Sequence, residues 1–540
     1  MLRRSEREKV APNRYGEWVY ITCENSEPRS FKEAMKSIKN DKWQDAMKRE
    51  MNSLHENDVW ELVSLPSERK CVGSKWVFKE KLGPDGKTER YKARLVAQGY
   101  SQQQGLDYDE TFSPVVRPES VRLMIALASA KNMILHQMDV ETAFLNGCLE
   151  EDIYMRQPEG FEKAGSENLV CRLKKSIYGL KQSPRCWNVT LDSYLQEIGF
   201  KQSKYDPCIY TSEGVILAVY VDDIILASES DEQMKNVKKL ISSKFTVKDM
   251  GRLAYFLGVS VDQESKSHVW VGQPAYTQKV LERFNMDASN SVATPADNST
   301  KLIKNDGSME CVDQKLYQSA VGSLLYLSMW SRPDITYAVH HVAKFSSQPT
   351  KEHWTAVKRI MRYLQGTINY GLCYTKGGSV DGEIGNILGY SDADWAGDVN
   401  DRKSTSGYLF QVCNGTVSWR SKKQTCVALS TAEAEYMALS SAAQEAVWLR
   451  NLSADLKNKI MPVVIYEDNQ AAICITKNPQ FHGRAKHFDI KFHFIREQVE
   501  KGQVVLKYCP SKKMLADILT KGLDKEQFIT LRSMMGVQQR

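Results

Sequence analysis

Tyr220-Val221-Asp222-Asp223 lies between two apolar runs, residues 215–221 and 224–227. Both runs suit a sheet interior, where an ionised Asp is rarely left unpaired. A divalent cation removes that penalty, because Mg2+ takes one or two carboxylates together with substrate phosphate oxygens. Asp is also common in turns, and the pair alone fits a turn equally well. A third acid, Asp139, ends the apolar run Met133-Ile-Leu-His-Gln-Met. A carboxylate at a strand end can lie beside a hairpin tip, so Asp139 and Asp222 suit two cations about 3.5–4 Å apart, the arrangement that serves in-line phosphoryl transfer. One cation activates an attacking 3′-hydroxyl and the other stabilises leaving pyrophosphate. Taken singly, Asp139 reads as a strand-terminal surface carboxylate.

A second set of acids occupies the last third of the chain. Asp392 lies in Tyr390-Ser-Asp-Ala-Asp-Trp-Ala-Gly and Glu435 in Ser430-Thr-Ala-Glu-Ala-Glu-Tyr. Asp468 lies in Ile465-Tyr-Glu-Asp-Asn-Gln and Asp517 in Leu515-Ala-Asp-Ile-Leu-Thr-Lys. Spacings of 43, 33 and 49 residues put each acid in a different element. Ser430 and Glu433 fit a capping box, which places Glu435 in the first turns of a helix. Asp468 follows a strand over residues 463–466. Singly, each of these acids reads as a surface charge.

The elements that must position these residues follow from periodicity. Trp43, Met47, Met51 and Leu54 recur at intervals of three or four and define one apolar helix face. Residues 75–82 and 87–97 read as strands around Gly83-Pro84-Asp85-Gly86, a hairpin signal. A helix over 122–131, a strand over 133–140 and a charged helix near 233–245 complete the first half. Residues 288–307, rich in Asn, Ser, Asp and Thr, mark a soft boundary, and residues 315–366 are mainly helical. Five glycines in residues 371–385 mark a linker, after which 386–525 alternate strand and helix as an α/β domain does.

Composition bounds the class. The 540 residues are 42% apolar and 26% charged, enough for about three to four domains with cores. The net charge of +7 permits a nucleic-acid partner without requiring one. Twelve cysteines with no C-x-x-C spacing disfavour a zinc ribbon and read as reduced thiols of an intracellular protein. There is no apolar run of about 18 residues, hence no expected membrane span. The basic N-terminus lacks the apolar segment of a secretory signal and reads as a charged linker.

Asp139-Val-x-x-Ala-Phe followed by Tyr220-Val-Asp-Asp resembles the palm of a reverse transcriptase. The surrounding sequence is similar to one branch, the copia-type LTR retrotransposons. The matching stretches include Lys75-Trp-Val-Phe-Lys, Arg90-Tyr-Lys-Ala-Arg-Leu-Val-Ala-Gln-Gly and Glu110-Thr-Phe-Ser-Pro-Val-Val. His136-Gln-Met-Asp-Val and Tyr178-Gly-Leu-Lys-Gln-Ser-Pro-Arg also match. The similarity runs from about residue 27 to 523, nearly the whole chain.

That resemblance implies an α+β right-hand polymerase of fingers, palm and thumb, then a helical connection and an α/β ribonuclease H-like domain. The expected boundaries are 1–29 linker, 30–290 fingers and palm, 291–375 thumb and connection, 376–525 nuclease and 526–540 C-terminal tail. It implies polymerase acids Asp139, Asp222 and Asp223 and nuclease acids Asp392, Glu435, Asp468 and Asp517, each set holding two Mg2+, with Mn2+ as a substitute. Motif register selects these over the neighbours Asp394, Glu433 and Glu467.

Lys79, Lys92 and Arg94, with Arg90, form a cationic ribbon that suits an incoming triphosphate. Phe144 resembles the aromatic gate against a ribose 2′-hydroxyl. Lys181 and the following Gln182-Ser-Pro-Arg resemble the segment under the template base, with Lys174 and Lys175 extending the basic patch. Phe256-Leu257-Gly258 resembles the turn that steadies the primer end. His482, His487 and His493 fit no zinc spacing and read as a hybrid-contact surface or a packed helix. His340 and His341 read as structural. The loop Tyr508-Cys-Pro-Ser-Lys-Lys has no His, unlike the loop before the last acid in many cellular ribonucleases H.

The implied partners are an RNA template, a DNA primer, the RNA/DNA hybrid, dNTPs and other Pol-derived proteins such as integrase, with no membrane. The implied location is intracellular, in a cytoplasmic particle or the nucleus. An RNA-dependent RNA polymerase is a competing enzyme reading, opposed by Phe144 and the nuclease half. An inactive or host-adopted remnant that only binds RNA is the alternative outside catalysis.

Overall fold

A computed structural model describes residues 27–82, 88–298, 301–376, 386–456, 460–477 and 494–540. The Gly83–Gly86 turn, most of the 371–385 linker, nearly all of the N-terminal linker and the three histidines at 482, 487 and 493 lie outside the described residues.

The centre is a six-stranded antiparallel sheet in the order Val247–Arg252, Ile134–Val140, Asp223–Ser228, Val215–Tyr220, Ile209–Ser212 and Lys201–Gln202. Its strands alternate faces. Ile225 and Ala227 pack with Leu123 and Leu127 of the helix Pro118–Ala130. Ile224 and Leu226 pack with Trp187 and Leu191 of the helix Ser183–Glu197 and with Met234 and Ile241 of Asp231–Lys244. Both faces are thus covered. Residues Ser120 through Ala130 are buried without interruption, as befits a helix enclosed on every side. That helix starts four residues before the expected 122, with Pro118 in its first turn, where a missing N–H is harmless.

The fingers form around the helix Asn40–Glu56, whose Trp43, Met47, Met51 and Leu54 are buried as their spacing requires. Against it lies the antiparallel ribbon Ser74–Leu82 and Thr88–Ala97. Trp76, Phe78, Ala93 and Leu95 take its inner face, leaving Lys79, Lys92 and Arg94 on the other. A four-stranded sheet, Trp60–Val63, Val170–Lys175, Cys148–Met155 and Cys71–Val72, closes this unit.

Residues 315–366 are mainly helical. Helices Gln314–Trp330, Thr336–Ala343 and Lys351–Gln365 pack beside a five-stranded sheet. Its order is Tyr255–Phe256, Val259–Ser265, His268–Gly272, Tyr370–Thr375 and Val537–Gln539. A division at residue 290 would cut this sheet, since Trp270 pairs with Cys373. The expected tail, 526–540, is corrected as well. It forms the helix Lys525–Met534 and the strand Val537–Gln539, because Phe528, Leu531, Met535 and Val537 have apolar surface to bury.

The last domain is a five-stranded sheet in the order Gly415–Lys423, Thr405–Val412, Leu388–Ala393, Val463–Glu467 and Val504–Tyr508. The first three strands run antiparallel and the last two join in parallel. The helix Thr431–Asp455 packs on it, capped by Ser430, whose Oγ accepts the Glu433 N–H at 3.2 Å. Glu433 turns back to accept the Leu429 N–H. The domain docks on the palm. Trp448 Nε1 donates to the Tyr205 carbonyl at 3.0 Å, and Ser203 Oγ donates to Asp455 at 2.7 Å.

Candidate active sites

The palm hairpin brings its acids together by register. Asp223 sits directly opposite Asp139 on the neighbouring strand, and the Val140 N–H donates to the Asp222 carbonyl at 2.8 Å. Val221 and Asp222 make the two-residue turn, which brings the Asp222 charge near enough to act on Asp139. Val221 takes φ 56°, a left-handed conformation that disfavours a β-branched residue. The Trp187 indole holds it there, donating to the Val221 carbonyl at 2.6 Å. Burial, then the Asp222 charge, raises the Asp139 pKa. Burial also raises Asp223, opposed by Gln137 Nε2, which donates to its carboxylate at 3.0 Å.

Around these acids the structure gathers part of the expected set. Phe144 meets Tyr178 edge-on at 4.9 Å, and the Arg94 guanidinium lies 4.0 Å over the same Tyr178 ring. Lys92 lies close enough to lower the Asp139 pKa, while burial, then Arg94, depresses its own. Trp187 was not singled out from sequence, and Tyr178 and Gln137 stood only within matching stretches, because their roles depend on partners distant in the chain.

Two residues are engaged elsewhere. Lys79 pairs with Glu27 at 3.2 Å. Lys181 Nζ donates to the Tyr108 hydroxyl at 3.0 Å, tying its segment to residues 102–108, where Gln182 also donates to the Asp107 carbonyl at 2.8 Å. The Phe256–Gly258 turn reaches the palm hairpin through Phe256, edge-on to Tyr220 at 6.2 Å. The Tyr326 hydroxyl fixes the Leu257 carbonyl, and Leu257 and Gly258 both have positive φ.

In the last domain four elements deliver four acids to one place. Asp392 comes from the central strand, Glu435 from the long helix, Asp468 from just beyond Val463–Glu467, and Asp517 from the short turn Leu515–Leu519. Carboxylate oxygens of Asp392, Asp468 and Asp517 lie within 4.8 Å of one another. A second group within the same distance joins Glu435 and Asp468 to Glu467, which motif register had set aside. Among the described residues these are the sets of three acids that converge so closely; the palm acids are not among them.

Lys521 balances one side, 2.9 Å from Asp517 and 3.8 Å from Asp392. Thr520 donates to Asp392, and Ser511 donates to Asp468 at 2.7 Å. Burial, then the Asp392 charge, pushes Glu435 up to about 11 and Asp517 up to about 7. Burial drives Glu467 well above the ordinary range. Glu435 Oε2 and Glu467 Oε2 are buried without a hydrogen-bond partner, a state that a hard divalent cation relieves. Asp394 instead accepts the Thr405 N–H and is pushed up to about 6 by burial. His341 stacks on Tyr337 at 5.6 Å and is depressed to about 4 by burial, in keeping with a structural role.

Residues 57–298 match the family model described as reverse transcriptase (RNA-dependent DNA polymerase). The Retrovirus-related Pol polyprotein from transposon TNT 1-94 of Nicotiana tabacum is 41% identical over 99% of this chain and 41% of its own length. The putative transposon Ty5-1 protein YCL074W of Saccharomyces cerevisiae is 33% identical, over 57% of this chain and 100% of its own length. The solved foamy viral protease-reverse transcriptase in complex with RNA/DNA hybrid matches with a TM-score of 0.46 and 13% identity, over 86% of this chain and 53% of that one. The chain spans about two-fifths of the length of the first curated relatives it matches. From its palm motifs through its nuclease-like end, the chain belongs to the reverse transcriptases of copia-type retrotransposon Pol polyproteins.

Proposed function

We propose that the chain is an RNA-directed DNA polymerase that extends a DNA primer with dNTPs and degrades the RNA of the resulting hybrid through a ribonuclease H site. The observation that carries the polymerase reading is the direct pairing of Asp139 with Asp223 beside Asp222. Two divalent cations, Mg2+ or in substitution Mn2+, would supply nucleophile activation and leaving-group stabilisation at each site. Asp139, Asp222 and Asp223 would hold them in the palm, and Asp392, Glu435, Asp468 and Asp517 in the nuclease.

The chain's own groups do the positioning. Gln137 orients Asp223, and Trp187 fixes the turn that carries Asp222. Arg94, held over the Tyr178 ring, and Lys92 present positive charge towards the triphosphate. Phe144, in T-shaped contact with Tyr178, crowds the sugar where a ribose carries its 2′-hydroxyl. In the nuclease, Ser511 and Thr520 orient Asp468 and Asp392.

Template, primer and hybrid are the proposed partners, together with Pol-derived proteins such as integrase, inside the cell in a cytoplasmic particle or the nucleus. Among the described residues no helix is long and apolar enough to cross a membrane. The test is Mg2+-dependent extension of a primed RNA template by the purified chain, alongside Asp222→Asn. Extension by the parent with dNTPs, and none by the variant, supports the reading. Preferential rNTP use, or equal inactivity of both proteins, overturns it.

A further inference from the structure

Asp468 belongs to both acid groups of the nuclease, and the second group owes its third carboxylate to Glu467. Adjacent residues in a strand point to opposite faces, so neighbouring acids ordinarily diverge. Here the strand ends at Glu467 and the chain turns at Asp468, which lets both side chains reach Glu435. Glu467 is 0% exposed. One of its oxygens accepts the Asn469 N–H at 3.3 Å, and the other, Oε2, has no hydrogen-bond partner. Glu435 Oε2 is likewise buried and unpartnered. The ammonium of Lys521 goes to Asp517 and Asp392, acids of the first group. Two buried carboxylate oxygens without donors, converging with a third acid, ask for a cation with hard oxygen preference.

We propose that Glu467 is a direct ligand of a divalent cation, Mg2+ or Mn2+, held by Glu435, Glu467 and Asp468, with Asp468 shared with a second cation at Asp392 and Asp517. This rests on the nuclease reading above. Mg2+ sites with one or two carboxylates depend on substrate phosphate to complete their shell. A third carboxylate lets the protein grip this ion before nucleic acid arrives.

The test uses Mn2+ alone, without nucleic acid, on the intact chain carrying Asp139→Asn and Asp222→Asn so that the palm contributes no ion. Calorimetry counts bound ions, and electron paramagnetic resonance reads the coupled signal of two adjacent Mn2+. The parent should bind two ions with a coupled signal. Adding Glu467→Gln should abolish the coupling and weaken one ion by at least about tenfold. Glu467→Cys should regain the lost ion with Cd2+, because a thiolate prefers a softer metal. That gain keeps the proposal testable if the Gln variant folds poorly. Retention of both ions and the coupled signal in Glu467→Gln overturns the assignment alone. Absence of Mn2+ binding in the parent, unchanged by Asp468→Asn, overturns the nuclease reading together with it.

Discussion

Arg122 lies against Trp419, its guanidinium carbon 3.9 Å from the centre of the indole. Arg122 belongs to the helix Pro118–Ala130 of the palm and Trp419 to the strand Gly415–Lys423 of the last domain. The guanidinium also donates to the carbonyls of Val417 at 2.8 Å, Met329 at 2.8 Å and Trp330 at 3.2 Å, and to Glu119 at 3.3 Å. Three parts of the molecule therefore meet on one buried side chain.

Removing that side chain should loosen all three. Arg122→Met leaves three buried carbonyls without donors, each worth about 1–3 kcal/mol, so unfolding should become easier by about 3 kcal/mol or more. Arg122→Lys should recover less than half of the loss, because one ammonium cannot span the same fork. Urea denaturation checks both variants; a change below about 1 kcal/mol for Arg122→Met would refute the role.

The two acid sets should separate by mutation. Asp222→Asn should reduce primer extension by at least about a hundredfold while hybrid cleavage persists. Asp392→Asn should do the reverse. Extension and cleavage assays on the same preparation decide the matter, and loss of both activities in either variant would deny the separation.

Sugar choice should reside in Phe144. Its truncation to Val should lower the dNTP-over-rNTP preference by about tenfold or more, read as the ratio of kcat/KM values. Arg94→Lys should instead raise KM for every dNTP alike, because Lys loses the guanidinium contact over the Tyr178 ring.

The buried pair Arg332–Asp334 should make the connection acid-sensitive. Burial alone would lift the Asp334 carboxyl, but Arg332, bonded at 2.8 and 3.0 Å, and the Tyr363 hydroxyl at 2.5 Å hold it below the usual range. A depressed folded-state pKa gives stability that is complete above the unfolded value and lost as pH falls through the folded one. Stability of the parent should therefore fall more steeply below about pH 5 than that of Asp334→Asn, which lacks the titrating group. Denaturant midpoints between neutral and acid pH measure the difference; parallel curves would exclude the pair as its source.

Side-chain period and motif made much of this readable beforehand. Trp43, Met47, Met51 and Leu54 announced their helix, because burial constrains residue type, and the strand ending at Asp139 does lie beside the hairpin that carries Asp223. What stayed hidden depended on distant partners. Val221 turns without Gly because Trp187, 34 positions away, holds its carbonyl. Glu467 was set aside by motif register, and its approach to Glu435 depends on the chain turning just beyond it. Val537–Gln539 is three residues long and pairs with Leu372–Tyr370, so local pattern marked it as a tail. Arg122 is one basic residue in an apolar helix, and its value lies in carbonyls some 200 or more positions away.

The strand Tyr370–Thr375, which precedes the nuclease, and Val537–Gln539, which follows it, are hydrogen-bonded neighbours in one sheet. The last domain is thus bracketed in the sequence by two strands that pair in one sheet. Under the proposed function, that shared sheet would tie the acids of the palm hairpin and those of the last domain to one frame.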